Sequence, residues 1–513
     1  MKIHLEVFLF SIKYFLVIFH RKFNFVTLLT KFFFKTTIGL WYNSYRYCKL
    51  FENCIFLIFG DLILKNKSTK TGSIVRYPRF LLLEEGGFFM SKAVKCLILL
   101  AVVALFFVTE LIPLAITAMG GAIACGLLGL IPAKQVFSGL SNSTVVLFAG
   151  MFVVGGAMFY TGLAQFIGNK VVSAVGTGEN SLMFGLMTVG TVLSAFLSNT
   201  GTAACLLPVA LGICASAKIP ASRQLMPLAF ACGWGGIITM VGTPPNIIAA
   251  GALSNVGLPS FGFFEFAFIG IPISVAGMLY MMFVGKYLLP AAQLDADQEI
   301  EQEIEANETS KNKMVISGVI LIAVVLVMGL GIKGITLEMA AVVGALICVL
   351  TGCLTEKQAY ASIDWVTIFL FAGMMPVSSA MDKTGAGKMI ADWTVSLMGG
   401  SPSPLVVTAV LFILSCGLTQ FMSNTASAAL LCPIGIAIAK NLGADPRAVL
   451  MAIAVAASCA FASPVGTPPN TLVLGPGNYK FMDYVKAGTG LIIVCFVISL
   501  VVIPMVWPFF PGK

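Results

Sequence analysis

Ser198-Asn199-Thr200 followed by Gly242-Thr243-Pro244-Pro245-Asn246 occurs a second time, as Ser423-Asn424-Thr425 followed by Gly466-Thr467-Pro468-Pro469-Asn470. The triplets are 225 residues apart (423 against 198) and the glycines 224 (466 against 242). Both copies sit inside strongly apolar sequence. Proline removes a backbone donor and bars continuation of a helix. Bilayer hydrocarbon offers no water to the freed groups, so broken polar backbone at membrane depth must line a cavity or be buried in protein. Two matched breaks are the sequence pattern of a secondary transporter whose site lies between internal repeats.

Composition agrees with a polytopic membrane protein. Mean hydropathy is +0.97 and only 10% of residues are charged, where a soluble globule carries about 25%. The net charge of +9 is local. Residues 1–89 hold 13 Lys/Arg against 5 Asp/Glu, and from Met90 onward the numbers are 18 and 17. That balance removes a nucleic-acid partner. Both histidines, His4 and His20, lie in the first segment, so the apolar core has no histidine chemistry. The thirteen cysteines include no Cys-x-x-Cys pair and read as small reduced packing residues.

Residues 1–89 are rich in Phe, Lys, Ile, Tyr and Asn, and the remainder in Gly, Ala and Val. Glu84-Glu85-Gly86-Gly87 can be encoded by a purine run of the ribosome-binding kind just ahead of Met90-Ser91-Lys92. We therefore expect residues 1–89 to be translated upstream spacer. An N-terminal extension is the competing reading, with short apolar stretches at 5–19 and 54–64. A native peptide from this segment would exclude the first reading.

From Met90 the chain divides at an acidic stretch. Residues 291–313 carry Asp295, Asp297, Glu299, Glu301, Glu303, Glu305 and Glu308, a solvated linker between repeats at 90–290 and 314–513. The repeats align beyond the motifs. Phe148-Ala149-Gly150-Met151 recurs as Phe371-Ala372-Gly373-Met374. Ala157-Met158 with Thr161-Gly162 recurs as Ala380-Met381 with Thr384-Gly385, and Lys134-Gln135 as Lys357-Gln358. Each half reads as three spans, a long small-residue segment around the triplet, a broken span and a last span. In the first half these fall at about 96–112, 114–131, 144–163, 182–217, 224–252 and 262–289. In the second they fall at about 314–333, 336–354, 366–382, 403–439, 447–475 and 488–509. The fourth segment of each half is long enough to enter and return, a re-entrant hairpin with the triplet at its tip. Odd crossings per half then give inverted topology, with the motifs face to face. Lys and Arg divide evenly between alternating loops, so orientation is not legible.

Hydroxyl and amide oxygens suit a hard cation such as sodium. A hairpin tip adds carbonyls at the end of one half-helix and N–H groups at the start of the next. Gly242 and Gly466 allow backbone conformations closed to other residues, and Thr243 and Thr467 supply hydroxyl donors. Ser-Asn-Thr alone would read as glue between helices, and Gly-x-Pro-Pro alone as a kink. Duplication at matched spacing makes them a composite site. Arg223 and Arg447 fall at span ends and read as interfacial anchors, as do Glu110, Glu265, Glu338 and Asp382. With no cation at the centre, bound sodium would supply the positive charge that an anion needs. An intramembrane enzyme would require a catalytic acid, base or metal cluster, and the core offers none.

The run from Ala457 through Gly466-Thr467-Pro468-Pro469-Asn470 to Val473 resembles the signature of the divalent anion:sodium symporter family. Thr109-Glu110-Leu111-Ile112-Pro113 looks like its early landmark, and Gly235-Gly236 with Thr239 like its first broken span. The resemblance covers about residues 93–510. Many members carry a further span before the Thr-Glu landmark. Counted from Met90, this chain does not.

The resemblance implies an all-α polytopic protein of the bacterial inner membrane, a homodimer working as an elevator. It implies one sodium site at Ser194, Ser198, Asn199 and the Gly242 carbonyl, and another at Thr419, Ser423, Asn424 and the Gly466 carbonyl. Substrate carboxylates would meet Asn199, Thr200 and Thr243 from one half and Asn424, Thr425 and Thr467 from the other. The expected activity is sodium-coupled uptake of a small dianion, foremost a C4-dicarboxylate such as succinate, malate or fumarate, with no organic cofactor. An exchanger of di- or tricarboxylates, or a sulfate symporter, on the same fold is the alternative.

Overall fold

The computed structural model describes residues 90–176, 178–290, 311–332, 334–397 and 402–511. Residues 1–89, with both histidines, and the acidic linker up to Ser310 lie outside the described residues. All regular structure among the described residues is helical.

The first half runs α1 (Lys92–Thr109), α2 (Leu114–Leu127), α3 (Ser143–Tyr160), α4 (Leu163–Val175), α5 (Glu179–Ser194), α6 (Asn199–Ala217), α7 (Ser222–Gly235), α8 (Pro244–Asn255) and α9 (Ala267–Phe283). The second runs α10 (Lys311–Leu330), α11 (Leu337–Leu350), α12 (Glu356–Ser362), α13 (Trp365–Thr384), α14 (Ala386–Leu397), α15 (Pro404–Thr419), α16 (Asn424–Asn441), α17 (Pro446–Ala457), α18 (Pro468–Leu474) and α19 (Phe481–Val506). Apart from α12, matched by short 3-10 turns at Ala133–Gln135 and Ser138–Ser141, the halves correspond helix for helix. Six helices among the described residues, α1, α3, α6, α10, α13 and α19, are long and apolar enough to cross a membrane. The linker expected to reach residue 313 is already helical at Lys311.

Expected spans and observed helices agree to within about seven residues, and three helices were not expected: the short α12 (Glu356–Ser362), α4 and α14. α4 and α14 fall where the sequence was read as loop. They are short and carry Lys170 and Lys388 with Asp392, so a search for long apolar spans passes over them. The preceding Thr-Gly repeat explains itself here. Gly162 and Gly385 have φ of 73° and 77°, the left-handed turn that glycine adopts without Cβ strain. They end α3 and α13 and let α4 and α14 begin.

The halves pack reciprocally. α2 of the first half lies along α13 of the second, and α11 of the second lies along α3 of the first. Likewise α8 packs on α17 and α18 on α7, while α9 and α19 pack on each other. Such exchange of partners is what a twofold relation between halves requires. Small residues make the closest crossings. A Cβ at Gly150 would sit 2.8 Å from Ala341, and one at Gly373 would sit 2.5 Å from the backbone of Ala118. Lipid-soluble helices gain little from apolar burial against each other, so backbone approach through small residues is the main attraction.

Candidate functional site

α5 ends at Ser194 and α6 starts at Asn199, with Ser198 between them as N-cap. α15 ends at Thr419 and α16 starts at Asn424, capped by Ser423. The triplets therefore stand at helix–helix turns, and each pair of helices packs together. The cap serines accept from the N–H of Gly201 at 3.4 Å and of Ala426 at 3.2 Å. One lone pair of each hydroxyl is used in capping and the other stays free to bind.

The broken spans are built alike. α7 passes through a 3-10 turn at Gly236–Ile238, then extended backbone, before α8 restarts at Pro244. Pro244 and Pro468 occupy first helical positions, where the missing N–H costs nothing. Asn246 and Asn470, the last residues of the duplicated motif, hold the breaks in shape. Asn246 Nδ2 donates to the carbonyl of Thr239 at 2.8 Å, and more loosely to those of Gly236 and Ile237 at 3.3 Å each. Asn470 Nδ2 donates to Ala460 and Ser463 at 2.8 and 2.9 Å. Neither role is legible in sequence, because the carbonyls that each amide binds lie in irregular backbone.

One expectation needs correction. Gly242 and Gly466 were expected to supply backbone angles closed to other residues, and neither has a positive φ. Their requirement is space. A Cβ on Gly242 would lie 2.5 Å from the Gly236 carbonyl oxygen, and one on Gly466 would lie 2.5 Å from that of Thr419.

Tips and breaks meet in two matched clusters of oxygen. The inward end of the Asn199 amide is 2.6 Å from Ser194 Oγ, 3.0 Å from the Gly242 carbonyl oxygen and 3.2 Å from that of Cys232. The inward end of the Asn424 amide is 2.7 Å from Thr419 Oγ1, 3.2 Å from the Gly466 carbonyl and 3.0 Å from that of Ala457. Because Ser194 Oγ and Thr419 Oγ1 each give their one proton to a backbone carbonyl, the hydrogen-bond network favours an inward NH2, shared among these oxygens; turned over, the amide carbonyl would join them as a cation's ligand. The carbonyls of Cys232 and Ala457 escaped the sequence reading, because a backbone carbonyl has no signature of its own. Ser194 and Thr419 are fully buried and donate to those same carbonyls at 2.7 Å each.

Both triplets, both glycines and both threonines, Thr243 and Thr467, line one cavity of about 580 Å³. Thr243 and Thr467 precede α8 and α18 and make no side-chain cap. Thr243 Oγ1 is buried without a hydrogen-bond partner. Thr200 and Thr425 line the cavity one residue beyond the asparagines. Ser194 and Thr419 stand behind the lining, as their burial requires. Arg223 pairs with Glu179 at 3.1 Å and Arg447 with Asp445 at 2.9 Å. Neither arginine reaches the cavity, whose lining includes no Lys or Arg.

The citrate transporter family model matches residues 104–429 and 327–511. The chain belongs to this family, of the divalent anion:sodium symporter type. A transporter of uncharacterised function from Haemophilus influenzae is 33% identical over 442 residues, 82% of this chain and 93% of that protein. The sodium-dependent dicarboxylate transporter SdcS of Staphylococcus saprophyticus is 25% identical, covering 88% of this chain and 95% of that one. Among solved structures, the YdaH transporter of Alcanivorax borkumensis superposes with a TM-score of 0.52 at 15% identity, covering 82% of this chain and 99% of that one. MtrF of Neisseria gonorrhoeae gives 0.51 at 14%, covering 83% and 98%. At such identities the likeness is one of fold. The chain is a secondary transporter of this kind, a multi-pass protein of the bacterial inner membrane and not an enzyme.

Proposed function

We propose that the chain takes up a small dianion, foremost a C4-dicarboxylate, together with sodium. The observation that carries this is the pair of equivalent oxygen clusters flanking one cavity that has no fixed cation. An anion leaving water for such a place needs opposite charge. Sodium held by Ser194, Ser198, Asn199 and the Gly242 carbonyl, and by Thr419, Ser423, Asn424 and the Gly466 carbonyl, would supply it. Hydroxyls and amides of Asn199, Thr200, Thr243, Asn424, Thr425 and Thr467 would then hold the carboxylates. The anion would bind well only after the cations, which is the origin of coupling. The sodium dependence and dicarboxylate substrate of the SdcS relatives support this choice. The family model's own description, citrate, favours a tricarboxylate as the second reading.

The movement that fits is an elevator, in which hairpins α5–α6 and α15–α16 travel with the broken spans. These elements pack mainly on one another, while α1–α3 pack with α10–α13. The latter group would form the scaffold of a homodimer, with the halves inverted in the membrane. Purified full-length chain in proteoliposomes tests the reading. Uptake of labelled succinate should follow an inward sodium gradient and stop when choline replaces sodium. Uptake unchanged in choline would overturn sodium coupling, and counterflow driven by internal dicarboxylate would identify an exchanger.

A further inference from the structure

Among the side chains lining the cavity, the one that carries a full charge is an acid, Asp364. It stands at the start of α13 and lines the same cavity as the hairpin tips. Its Oδ1 accepts from the N–H of Val366 at 3.1 Å and of Thr367 at 3.2 Å, and its Oδ2 from Thr367 Oγ1 at 2.5 Å. These bonds fix the carboxylate in place while the residue remains exposed. It forms no ion pair among the described residues. Capping does not demand the charge. At the equivalent start of α3, the neutral Asn142 does the same work, accepting from the N–H of Thr144 at 2.8 Å, and Asn142 does not line the cavity. The second repeat thus adds to the lining of a proposed anion site a negative charge that the first repeat does not.

We propose that Asp364 sets the charge preference of the cavity, penalising an anion in proportion to its charge and favouring the accompanying cation. The inference rests on the anion-transport reading above. Coulomb energy is linear in substrate charge, so a trianion is disfavoured more than a dianion of similar size. Two unit charges about 10 Å apart in water-like surroundings interact by roughly a factor of two in binding. Removing the charge should therefore tighten binding by about twofold per unit of substrate charge. That is about fourfold for a dianion and about eightfold for a trianion.

The test compares wild type, Asp364→Asn and Asp364→Ser, each full length in proteoliposomes, at a pH where succinate and citrate are fully ionised. Asparagine and serine both cap helices well. The readouts are the succinate KM, the citrate Ki against succinate, and the sodium concentration for half-maximal uptake. Both variants should lower the citrate Ki more than the succinate KM and raise the sodium requirement. An unchanged citrate-to-succinate ratio in a variant that still transports would overturn the proposal, leaving sodium-coupled transport intact. Equal shifts for both anions would assign Asp364 a structural role alone. Absence of sodium-driven succinate uptake by wild type would overturn the parent reading and this one with it.

Discussion

Phe148 and Phe371, 223 positions apart and equivalent in the two repeats, meet edge to face with ring centroids 5.8 Å apart. The contact brings together residues at matching positions of the two repeats. Their helices, α3 and α13, each carry the glycine that accepts the other half's second span: Gly150 receives Ala341 and Gly373 receives Ala118. Around this phenylalanine pair the two glycine crossings are one contact made twice.

Gly373→Ala should destabilise the protein, because the added Cβ would lie 2.5 Å from the Ala118 backbone, which has no rotamer to change. Overpacking of this kind costs about 1–3 kcal/mol. A melting curve of the detergent-solubilised protein checks it. A melting temperature equal to wild type would mean that the two helices separate freely.

Asn199→Ala and Asn424→Ala should each abolish sodium-driven uptake with little loss of folded protein. Each amide closes an oxygen cluster and also faces the cavity. Normal uptake by either purified variant would remove both clusters from the mechanism.

Thr200→Ala and Thr425→Ala should weaken substrate more than sodium. A hydrogen bond to a charged group contributes about 1.5–3 kcal/mol, so the substrate KM should rise by about tenfold or more. Parallel losses of substrate and sodium affinity would show that the two sets of ligands are wrongly divided.

Sodium dependence of uptake should have a Hill slope above one, since the clusters come in a pair. Two sodium ions with a dianion would move no net charge. A third would make uptake respond to membrane potential at about 2.3 kcal/mol per charge per 100 mV. The family resemblance, not the pair of clusters, is the ground for expecting that response, and uptake under valinomycin-clamped potentials measures it.

Tyr479→Phe should lower stability without altering ligand preference. The Tyr479 hydroxyl is inserted into the helical ladder of α7, accepting from Met226 N–H at 2.8 Å and donating to the Ser222 carbonyl. Losing it leaves buried backbone groups short of a partner, at about 1–3 kcal/mol. A variant as stable as wild type would mean that α7 closes its own ladder once the hydroxyl is gone.

The sequence by itself determined that this is a membrane protein of two similar halves, each with a polar turn and a proline-restarted helix. Those features are local. A triplet amid apolar residues and a proline pair constrain their own backbone wherever they lie, and their recurrence at a fixed spacing is visible without coordinates. The family resemblance, carried by the same residues, named the triplets, Thr243 and Thr467, which line the cavity, with Ser194 and Thr419, which stand behind the lining.

Tertiary structure alone decided how the halves exchange partners and which distant groups converge. The carbonyls of Cys232 and Ala457 look in sequence like any other backbone. Asn246 and Asn470 bind backbone that only folding brings within reach of their amides. Gly242 and Gly466 answer to the closeness of a neighbouring carbonyl, which no local angle preference reveals. Asp364 caps α13 and has no motif around it that would single it out in sequence. Only packing of the halves puts it in the lining of a cavity shared with hairpin tips from both repeats, because a cavity is a property of surfaces brought together from afar.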